Sequence, residues 1–347
     1  MDNHSDFIRW GNLLQQEIFN LQKEVSEIND FLVAVNKAKQ QNTWFTKQNI
    51  VLALQNCVNM LSESSLTVWY NNYKSLKHSF NQNKKIALIM AGNIPAVGFQ
   101  DLLYVLLTGN VAQVKLSSED SFLIPTMLES LYSINNYWRD RVDFVPKIAG
   151  FDAVVATGSN NSARYFEYYF GKFPNVIRKS RTSIAVIYGD ENEQDWKNLQ
   201  KDIFTYFGMG CRSVNFLCLL KGVEMEWVIQ NLEPQNQAEL LQHHKYLNNL
   251  DYHKSVFLIN RQKFLDGGSV LFRESSDVFS PLSVVHFAFF DHVEHLKQFI
   301  ESNEDNIQCV IDKNEKISKI QPGGSQLPTL MNYPDNVDIT NFILQLK

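Results

Sequence analysis

The sequence lacks the features that mark disulfide-rich, zinc-binding and nucleic-acid-binding proteins. Its four cysteines, Cys57, Cys211, Cys218 and Cys309, follow no disulfide or zinc-site spacing, so they are expected to be free thiols in a reducing cytoplasm, and no metal site is predicted. The net charge of −5 and the pI near 5.9 argue against a nucleic-acid partner. The Gly-x-Gly-x-x-Gly fingerprint of dinucleotide-binding proteins is also missing, as are internal repeats and low-complexity segments.

Neither a signal peptide nor a membrane span is predicted. The start, Met1-Asp2-Asn3-His4-Ser5-Asp6, is polar and acidic. Residues Ile86 to Gly109 are mostly apolar over a length that could cross a bilayer, but Gly92-Asn93-Ile94-Pro95 interrupts them early. A strand at Ile86–Ala91, a loop and a helix at Phe99–Leu107 explain this stretch better. We therefore expect a soluble, cytoplasmic protein.

The pattern of apolar residues predicts an α/β protein of two domains. A chain of 347 residues with 44% hydrophobic residues is long for one domain. Residues 6–80 show helical periodicity, and from Lys84 onward short apolar runs alternate with helical segments, which is typical of a parallel sheet covered on both faces. The boundary is predicted near Ser183. The candidate strands of the first set are Ile86–Ala91, Val111–Val114, Val142–Val145, Ala153–Ala156 and Ile184–Tyr188, and those after Cys211 are Phe216–Leu220, Val256–Ile259, Val284–Phe290 and Gln308–Ile311.

Cys211 lies in the segment Tyr206-Phe207-Gly208-Met209-Gly210-Cys211-Arg212-Ser213, between a helix-like stretch and an apolar run. The two glycines indicate a tight helix-to-strand turn, where backbone amides could point at a bound substrate. A thiol there suits nucleophilic attack on a carbonyl, with the oxyanion forming beside an amide N–H. A buried structural cysteine at a tight turn explains the same residues, and from this segment alone both interpretations stay open.

Three further segments place polar groups at predicted strand ends. The turn at Gly158 and Ser159 predicts a helix N-terminus that could hold a phosphate, although an ordinary N-capped helix explains it equally well. Lys115 ends a strand, where the ligands of open α/β sheets gather, although an isolated lysine is usually only solvated. Asn93 follows another strand and could donate to an oxyanion, or could simply form the turn before Ile94-Pro95.

A Cys–His hydrolase is a competing interpretation. Six histidines follow Cys211, so the residue inventory allows such a pair, but none lies in a recognisable local motif. They are His243, His244, His253, His286, His292 and His295.

Taken in order, five motifs resemble those of the aldehyde dehydrogenase superfamily. They are Ala91-Gly92-Asn93-Ile94-Pro95, Gly109-Asn110-Val111-Ala112-Gln113-Val114-Lys115, Thr157-Gly158-Ser159, Gly208-Met209-Gly210-Cys211 and Asp277-Val278-Phe279-Ser280-Pro281. Within the superfamily, Cys211-Arg212-Ser213 and the segment from Phe279 to Val285 resemble the long-chain acyl-CoA reductase family of bioluminescence fatty-acid reductase complexes. The resemblance covers roughly residue 84 to the C-terminus. Lys84-Lys85 leave no evident room for the oligomerisation hairpin of many relatives, so their mode of assembly is not carried over.

The resemblance implies a Rossmann-type cofactor domain and an α/β catalytic domain, assigned to 1–183, which includes the helical N-terminal region, and 184–347, which includes a C-terminal tail. It implies NADPH-dependent reduction of a fatty acyl thioester, on CoA or an acyl carrier, to the aldehyde. It also implies an acyl-activating partner enzyme and leaves a homo-oligomer open. A non-redox acyl-transferase or acyl-holding subunit is the alternative. The implied roles are nucleophile for Cys211, oxyanion donor for Asn93, and cofactor contacts for Lys115, Ser118, Gly158, Ser159 and Asp277, the last one shorter than the family's usual glutamate.

Two positions refine this expectation. Arg178 stands where aldehyde-oxidising relatives have the glutamate that activates water, and an arginine, always protonated, cannot act as that base. Ser118 stands where NAD-preferring relatives often have a glutamate that binds the ribose 2′-hydroxyl, which favours NADPH. Glu119 is expected to point to the opposite face of the same strand.

Overall fold

The computed structural model describes residues 4–23, 29–75, 80, 82–233 and 237–346, and the predicted start Met1–Asn3 and parts of the helical stretch 6–80 lie outside them. The chain forms two compact units, Met1–Ser180 with Thr329–Lys347, and Arg181–Pro328. No described helix is long and apolar enough to cross a membrane. The mixed α/β architecture with parallel sheets and an N-terminal helical region confirms the predicted fold class.

The first unit begins with helices and continues as a parallel sheet. Apolar residues at helical spacing, such as Phe7, Trp10 and Leu14, bury one face of the first helix. The described elements are α1 (His4–Lys23), α2 (Asp30–Gln41), α3 (Lys47–Met60), α4 (Glu63–Tyr73), β1 (Lys85–Ile89), α5 (Phe99–Leu107), β2 (Val111–Lys115), α6 (Leu123–Ile134), β3 (Val142–Phe144), β4 (Ala153–Thr157), α7 (Asn160–Phe170) and β5 (Asn175–Arg178).

The first sheet has the strand order β3-β2-β1-β4-β5, with parallel pairing throughout the described strands. One face packs with α1–α6 in a continuous apolar core, and Ala87, Val154 and Ala156 on the other face pack with Phe166 and Phe170 of α7. Because the strand order reverses between β1 and β4, ligand-binding loops are expected at the carboxyl ends of these two strands.

The C-terminal segment Thr329–Lys347, with α13 (Ile339–Leu344), belongs to the first unit. Trp69 Nε1 donates to Thr340 Oγ1 at 3.0 Å, and Tyr104 OH donates to the Leu330 carbonyl at 2.7 Å. These buried bonds tie the segment to α4 and α5. The assignment of cofactor binding to 1–183 and of catalysis to 184–347 stays a prediction.

The second unit is a mixed sheet with helices on both faces, in the strand order β11-β6-β7-β10-β9-β8, antiparallel only between β8 and β9 among its described strands. Its core lies between the sheet and α8 and α9 on one face, and α12 on the other. The elements are β6 (Thr182–Ile187), α8 (Glu193–Phe204), β7 (Val214–Leu220), α9 (Met225–Asn231), α10 (Gln237–Gln242), α11 (His244–Ile259), β8 (Leu265–Asp266), β9 (Leu271–Glu274), β10 (Val284–Phe290), α12 (Val293–Ser302) and β11 (Ile307–Asp312).

The structure corrects three sequence-based assignments. The predicted strand Val256–Ile259 is the last turn of α11, whose buried residues Tyr246, Leu250 and Phe257 have helical spacing. The strand predicted at Ile184–Tyr188 was grouped with the first set although it follows the predicted boundary near Ser183, and it is β6 of the second sheet. Strands β5, β8 and β9 were not predicted, because none of them contains an apolar run of more than two residues or a clear apolar–polar alternation.

Candidate functional site

Three adjacent strands of the first sheet end side by side. Ile89 of β1 pairs with Lys115 of β2 and with Ala156 of β4. The loops that follow these strands therefore leave the sheet at one edge. This edge brings together Asn93, Lys115, Ser118, Gly158 and Ser159, five of the seven residues assigned from the resemblance, whereas Cys211 and Asp277 belong to the second unit.

Lys115 and Ser118 are exposed at and beyond the end of β2. The Ser118 carbonyl accepts a 2.5 Å hydrogen bond from Gln41 Nε2, which fixes the backbone of this turn. The expectation that Ser118 and Glu119 point to opposite faces of a strand is wrong, because β2 ends at Lys115 and both residues lie in a turn bounded by the Ser117–Asp120 bridge. Both side chains are exposed there.

Ser159 caps α7, and Gly158 is required by close packing. The Ser159 hydroxyl oxygen accepts from the Ser162 amide at 3.2 Å, as in an ordinary N-cap. A Cβ on Gly158 would lie 2.9 Å from the Ser162 Cβ and 3.0 Å from a ring carbon of Phe166. The backbone is thus held close to the start of α7, whose first amides and positive dipole end suit a phosphate. These features fit the phosphate groups of a dinucleotide.

The loop that carries Asn93 is anchored on both sides, and the Asn93 side chain is exposed. The Gly92 carbonyl accepts from Asn42 Nδ2 at 3.2 Å, and the Ala96 amide donates to Asp120 Oδ2 at 2.7 Å. Ala96 has a φ of 52°, in the left-handed region that non-glycine residues rarely adopt. Burial raises the pKa of Asp120 to about 6. This buried aspartate, which the sequence did not single out, holds the loop in its strained form.

Arg178, the residue predicted to stand where aldehyde-oxidising relatives have a glutamate, forms a buried ion pair. It ends β5, and its guanidinium donates to both carboxylate oxygens of Asp101 in α5, at 2.5 and 2.8 Å. The two side chains are 4% and 9% exposed. The Arg178 carbonyl also accepts from the Gly158 amide at 3.4 Å. Arg178 is therefore committed to a structural pair beside the Gly158 turn.

Cys211 follows a strained turn between α8 and β7. Tyr206, Phe207 and Gly208 have φ values of 54°, 58° and 79°, so three successive residues adopt the left-handed conformation. Such a conformation costs about 1–3 kcal/mol for each non-glycine residue and persists only where packing enforces it. The buried Phe207 ring packs at 4.3 Å from the His243 ring, measured between centroids. The predicted helix-to-strand turn at Cys211 is confirmed.

Hydrogen bonds close the turn around Cys211. The Ser213 amide donates to the Gly210 carbonyl at 2.9 Å, and the Gly210 amide donates to Ser213 Oγ at 3.2 Å. Ser183 Oγ donates to the carbonyl of Cys211 itself at 3.0 Å. The backbone of the candidate nucleophile is thus fixed from two sides.

Exposure separates Cys211 from the other thiols. Of the four cysteines, all within the described residues, Cys211 is partly exposed, whereas Cys57, Cys218 and Cys309 are buried. Burial raises the pKa of each buried thiol, including Cys309, although Arg212 donates to the Cys309 sulfur at 3.2 Å. Because the thiolate is the nucleophilic form, these three are poor candidates for catalysis.

Asp277 is exposed in the loop between β9 and β10. Its Oδ1 accepts from the Phe279 amide at 2.9 Å, and its carbonyl accepts from His286 Nδ1 at 2.8 Å. His286 Nε2 is therefore the unprotonated ring nitrogen, and it is buried with no hydrogen-bond partner in the part of the chain described here. Burial lowers the pKa of His286. A neutral histidine thus fixes the loop that presents Asp277.

Comparison with known proteins identifies the family. The model of the acyl-CoA reductase (LuxC) family matches residues 9–233, more than half of the chain. The chain belongs to the acyl-CoA reductase (LuxC) family. This confirms the resemblance inferred from the motifs and supports an aldehyde-related oxidoreductase. No curated protein sequence matches the chain.

Solved structures similar to this acyl-CoA reductase family member share the aldehyde dehydrogenase fold. The NADP-dependent enzyme of E. coli has 12% identity and a TM-score of 0.63, over 94% of this chain and 81% of that one. The aldehyde dehydrogenase KauB of Pseudomonas aeruginosa has 11% identity and a TM-score of 0.60, over 90% and 76%. The AldA indole-3-acetaldehyde dehydrogenase of P. syringae, in complex with NAD+, has 12% identity and a TM-score of 0.62, over 94% and 74%. At these identities the likeness establishes the fold alone.

Proposed function

We propose that this protein reduces a fatty acyl thioester to the aldehyde with NADPH, through an acyl-enzyme on Cys211. The observation that carries the proposal is the turn between α8 and β7, where a strained backbone at residues 206–208 precedes one partly exposed thiol while the three other cysteines are buried. Membership of the acyl-CoA reductase family supports the class of substrate.

The proposed chemistry at Cys211 has two stages. The thiolate sulfur attacks the thioester carbonyl carbon, and the Asn93 amide and the Cys211 N–H stabilise the oxyanion. The oxyanion collapses, the acyl–carrier bond breaks, and the carrier thiol leaves with a proton. When bound, the nicotinamide cofactor supplies the hydride. The resulting thiohemiacetal loses its hydroxyl proton, the carbon–sulfur bond to Cys211 breaks, and the aldehyde departs from the regenerated thiolate.

The residues at the edge of the first sheet support a cofactor with a 2′-phosphate. Lys115 supplies positive charge, and the Ser118 hydroxyl can donate to a phosphate oxygen from the turn after β2. Gly158 and Ser159 would hold the diphosphate at the start of α7, and Asp277 would contact a cofactor hydroxyl. Glu119 is exposed in the same turn as Ser118. The preference for NADPH therefore requires that Ser118 faces the 2′-phosphate and that Glu119 faces solvent.

The ion pair of Arg178 supports reduction over hydrolysis. Its guanidinium is bound to Asp101 and cannot accept a proton, so this position supplies no general base for water. General-base assistance is worth about 10²–10⁴ in rate. The acyl-enzyme should therefore survive until hydride or an acceptor thiol reaches it.

Cofactor oxidation tests this proposal against its rival. Hexanoyl-, decanoyl- and hexadecanoyl-CoA are each mixed with the protein and NADPH, and aldehyde, free CoA and free fatty acid are quantified. We expect NADPH oxidation to match aldehyde formation. CoA release without NADPH oxidation would favour a non-redox acyl-holding subunit, and rapid cofactor-independent release of fatty acid would favour a Cys–His hydrolase.

A further inference from the structure

A buried carboxylate lies in α8, the helix that precedes the Cys211 turn. Asp202, in the last turn of α8, has no solvent exposure. Its Oδ1 accepts from the Ser325 amide at 3.0 Å and from Ser325 Oγ at 2.6 Å, and its Oδ2 accepts from the Gly323 amide at 2.6 Å. A carboxylate with this many charge-assisted donors fixes the backbone of the segment Gly323–Gln326 firmly against α8.

The segment that Asp202 fixes continues to the Cys211 turn. Gln326, directly after Ser325, is 6% exposed, and its Nε2 donates to Ser213 Oγ at 3.3 Å and to the Asp202 carbonyl at 3.5 Å. Ser213 Oγ in turn accepts from the Gly210 amide, the residue immediately before Cys211. Buried hydrogen bonds, together with the covalent step from Ser325 to Gln326, thus join the Asp202 carboxylate to Gly210, the residue before the candidate nucleophile.

We propose that Asp202 is a positioning residue for Cys211, acting through Ser325, Gln326 and Ser213. This inference rests on the proposed function, because it assigns the network a role in presenting the acylated thiol. The turn holds two left-handed aromatic residues, Tyr206 and Phe207, so it would relax to another backbone unless other bonds opposed it. Closed hydrogen-bond networks in a low-dielectric interior supply this rigidity.

The same unit contains a matched control. Asp312, at the end of β11, is equally buried, and its carboxylate accepts from Tyr188 OH at 2.9 Å and from the Ile317 amide at 2.6 Å. It fixes the loop after β11, and within the described residues its carboxylate forms no hydrogen bond to the Cys211 turn. Asp202→Asn and Asp312→Asn therefore make the same chemical change to a loop-fixing carboxylate, and Gln326→Leu breaks the link to Ser213 without burying a new charge.

Two measurements on the full chain test the proposal. The first is the single-turnover rate of Cys211 acylation by decanoyl-CoA, followed over acyl-CoA concentration. The second is the rate of alkylation by iodoacetamide, which reports on Cys211 because the other three thiols are buried. We expect Asp202→Asn and Gln326→Leu to lower the maximal acylation rate about 10–100-fold, with the half-saturating acyl-CoA concentration changed by less than about twofold. Asp312→Asn should keep the wild-type rate.

The outcomes distinguish failure of the positioning role of Asp202 from failure of the proposed function. Equal acylation and alkylation rates in Asp202→Asn, Gln326→Leu and Asp312→Asn would overturn the positioning role and leave Asp202 as a structural residue. A wild-type protein that is never acylated would refute the proposed function, and the alkylation rates would then still decide the positioning role. A change of about threefold or more in the alkylation rate that is confined to the Asp202 and Gln326 variants would indicate a displaced thiol and would support the positioning role.

Discussion

Substitution of the buried Arg178–Asp101 ion pair is predicted to cause a large loss of stability. Arg178→Glu, which introduces the residue predicted at this position in aldehyde-oxidising relatives, places a second carboxylate against Asp101 in a site where both side chains are almost fully buried. Removing one partner of a buried ion pair costs about 3–5 kcal/mol, because the remaining charge is left without compensation. A unit of this size loses roughly 2–4 °C of melting temperature per kcal/mol, so we expect melting to fall by about 6–20 °C.

The assay compares thermal unfolding of wild type, Arg178→Glu, Asp101→Asn and the double variant Arg178→Gln/Asp101→Asn. The double variant removes both charges and should be more stable than either single variant. Arg139→Gln is the control, because its ion pair with Glu129 is exposed and should contribute less than about 1 kcal/mol. Arg178→Glu should also leave hydrolysis of the acyl-enzyme slow. An Arg178→Glu protein as stable as wild type, or one that hydrolyses the acyl-enzyme rapidly, would refute the reasoning.

Three other predictions follow from the candidate site. Cys211→Ala should keep the fold and lose covalent labelling by radiolabelled acyl-CoA, whereas Cys218→Ala should keep the label; label that persists in Cys211→Ala would refute the assignment. Ser118→Glu should weaken NADPH binding by about 1–3 kcal/mol and leave NADH binding nearly unchanged, as titration of both cofactors would measure. Burial raises the pKa of Asp120 from 3.8 to about 6, so its protonated form stabilises the fold fully below pH 3.8 and this contribution, at most about 3 kcal/mol, is lost as the pH rises to about 6. Asp120→Asn should remove that part of the pH dependence in denaturant titrations, and an unchanged profile would contradict the assignment.

Elements with long or strongly patterned apolar runs could be predicted from the sequence. Helix α5 was predicted with its observed bounds, Phe99–Leu107, because seven of its nine residues are apolar and the Gly92–Pro95 turn separates it from the strand before it. Strand β5 was missed because three of its four residues are only half-buried, so no apolar run marks it. The β-branched residues Val256 and Ile259 favoured a strand. The structure has a helix there, because the residues that α11 buries follow helical spacing.

The candidate nucleophile could be proposed from the local sequence, whereas the buried residues that fix the backbone of the site could not. Cys211 was singled out from the glycines around it, and its role as the nucleophile stays a prediction, whereas the turn itself is present in the structure. Asp120 and Asp202 were not found, because their partners Ala96 and Ser325 lie far along the chain and only the folded backbone brings them together. The strand predicted at Val111–Val114 ends within one residue of β2, so the error at Ser118 and Glu119 came from extending the alternation of faces past Lys115 into the turn.

The central claim is that Cys211 carries an acyl group that NADPH reduces. Its most direct test is a single-turnover experiment in which the protein is first acylated with radiolabelled decanoyl-CoA, freed of excess substrate, and then mixed with NADPH. The account predicts that the label leaves the protein as decanal, with NADPH oxidised in equal amount, and that Cys211→Ala yields neither acyl-enzyme nor aldehyde. Release of the label as decanoic acid, or its retention on the protein in the presence of NADPH, would contradict it.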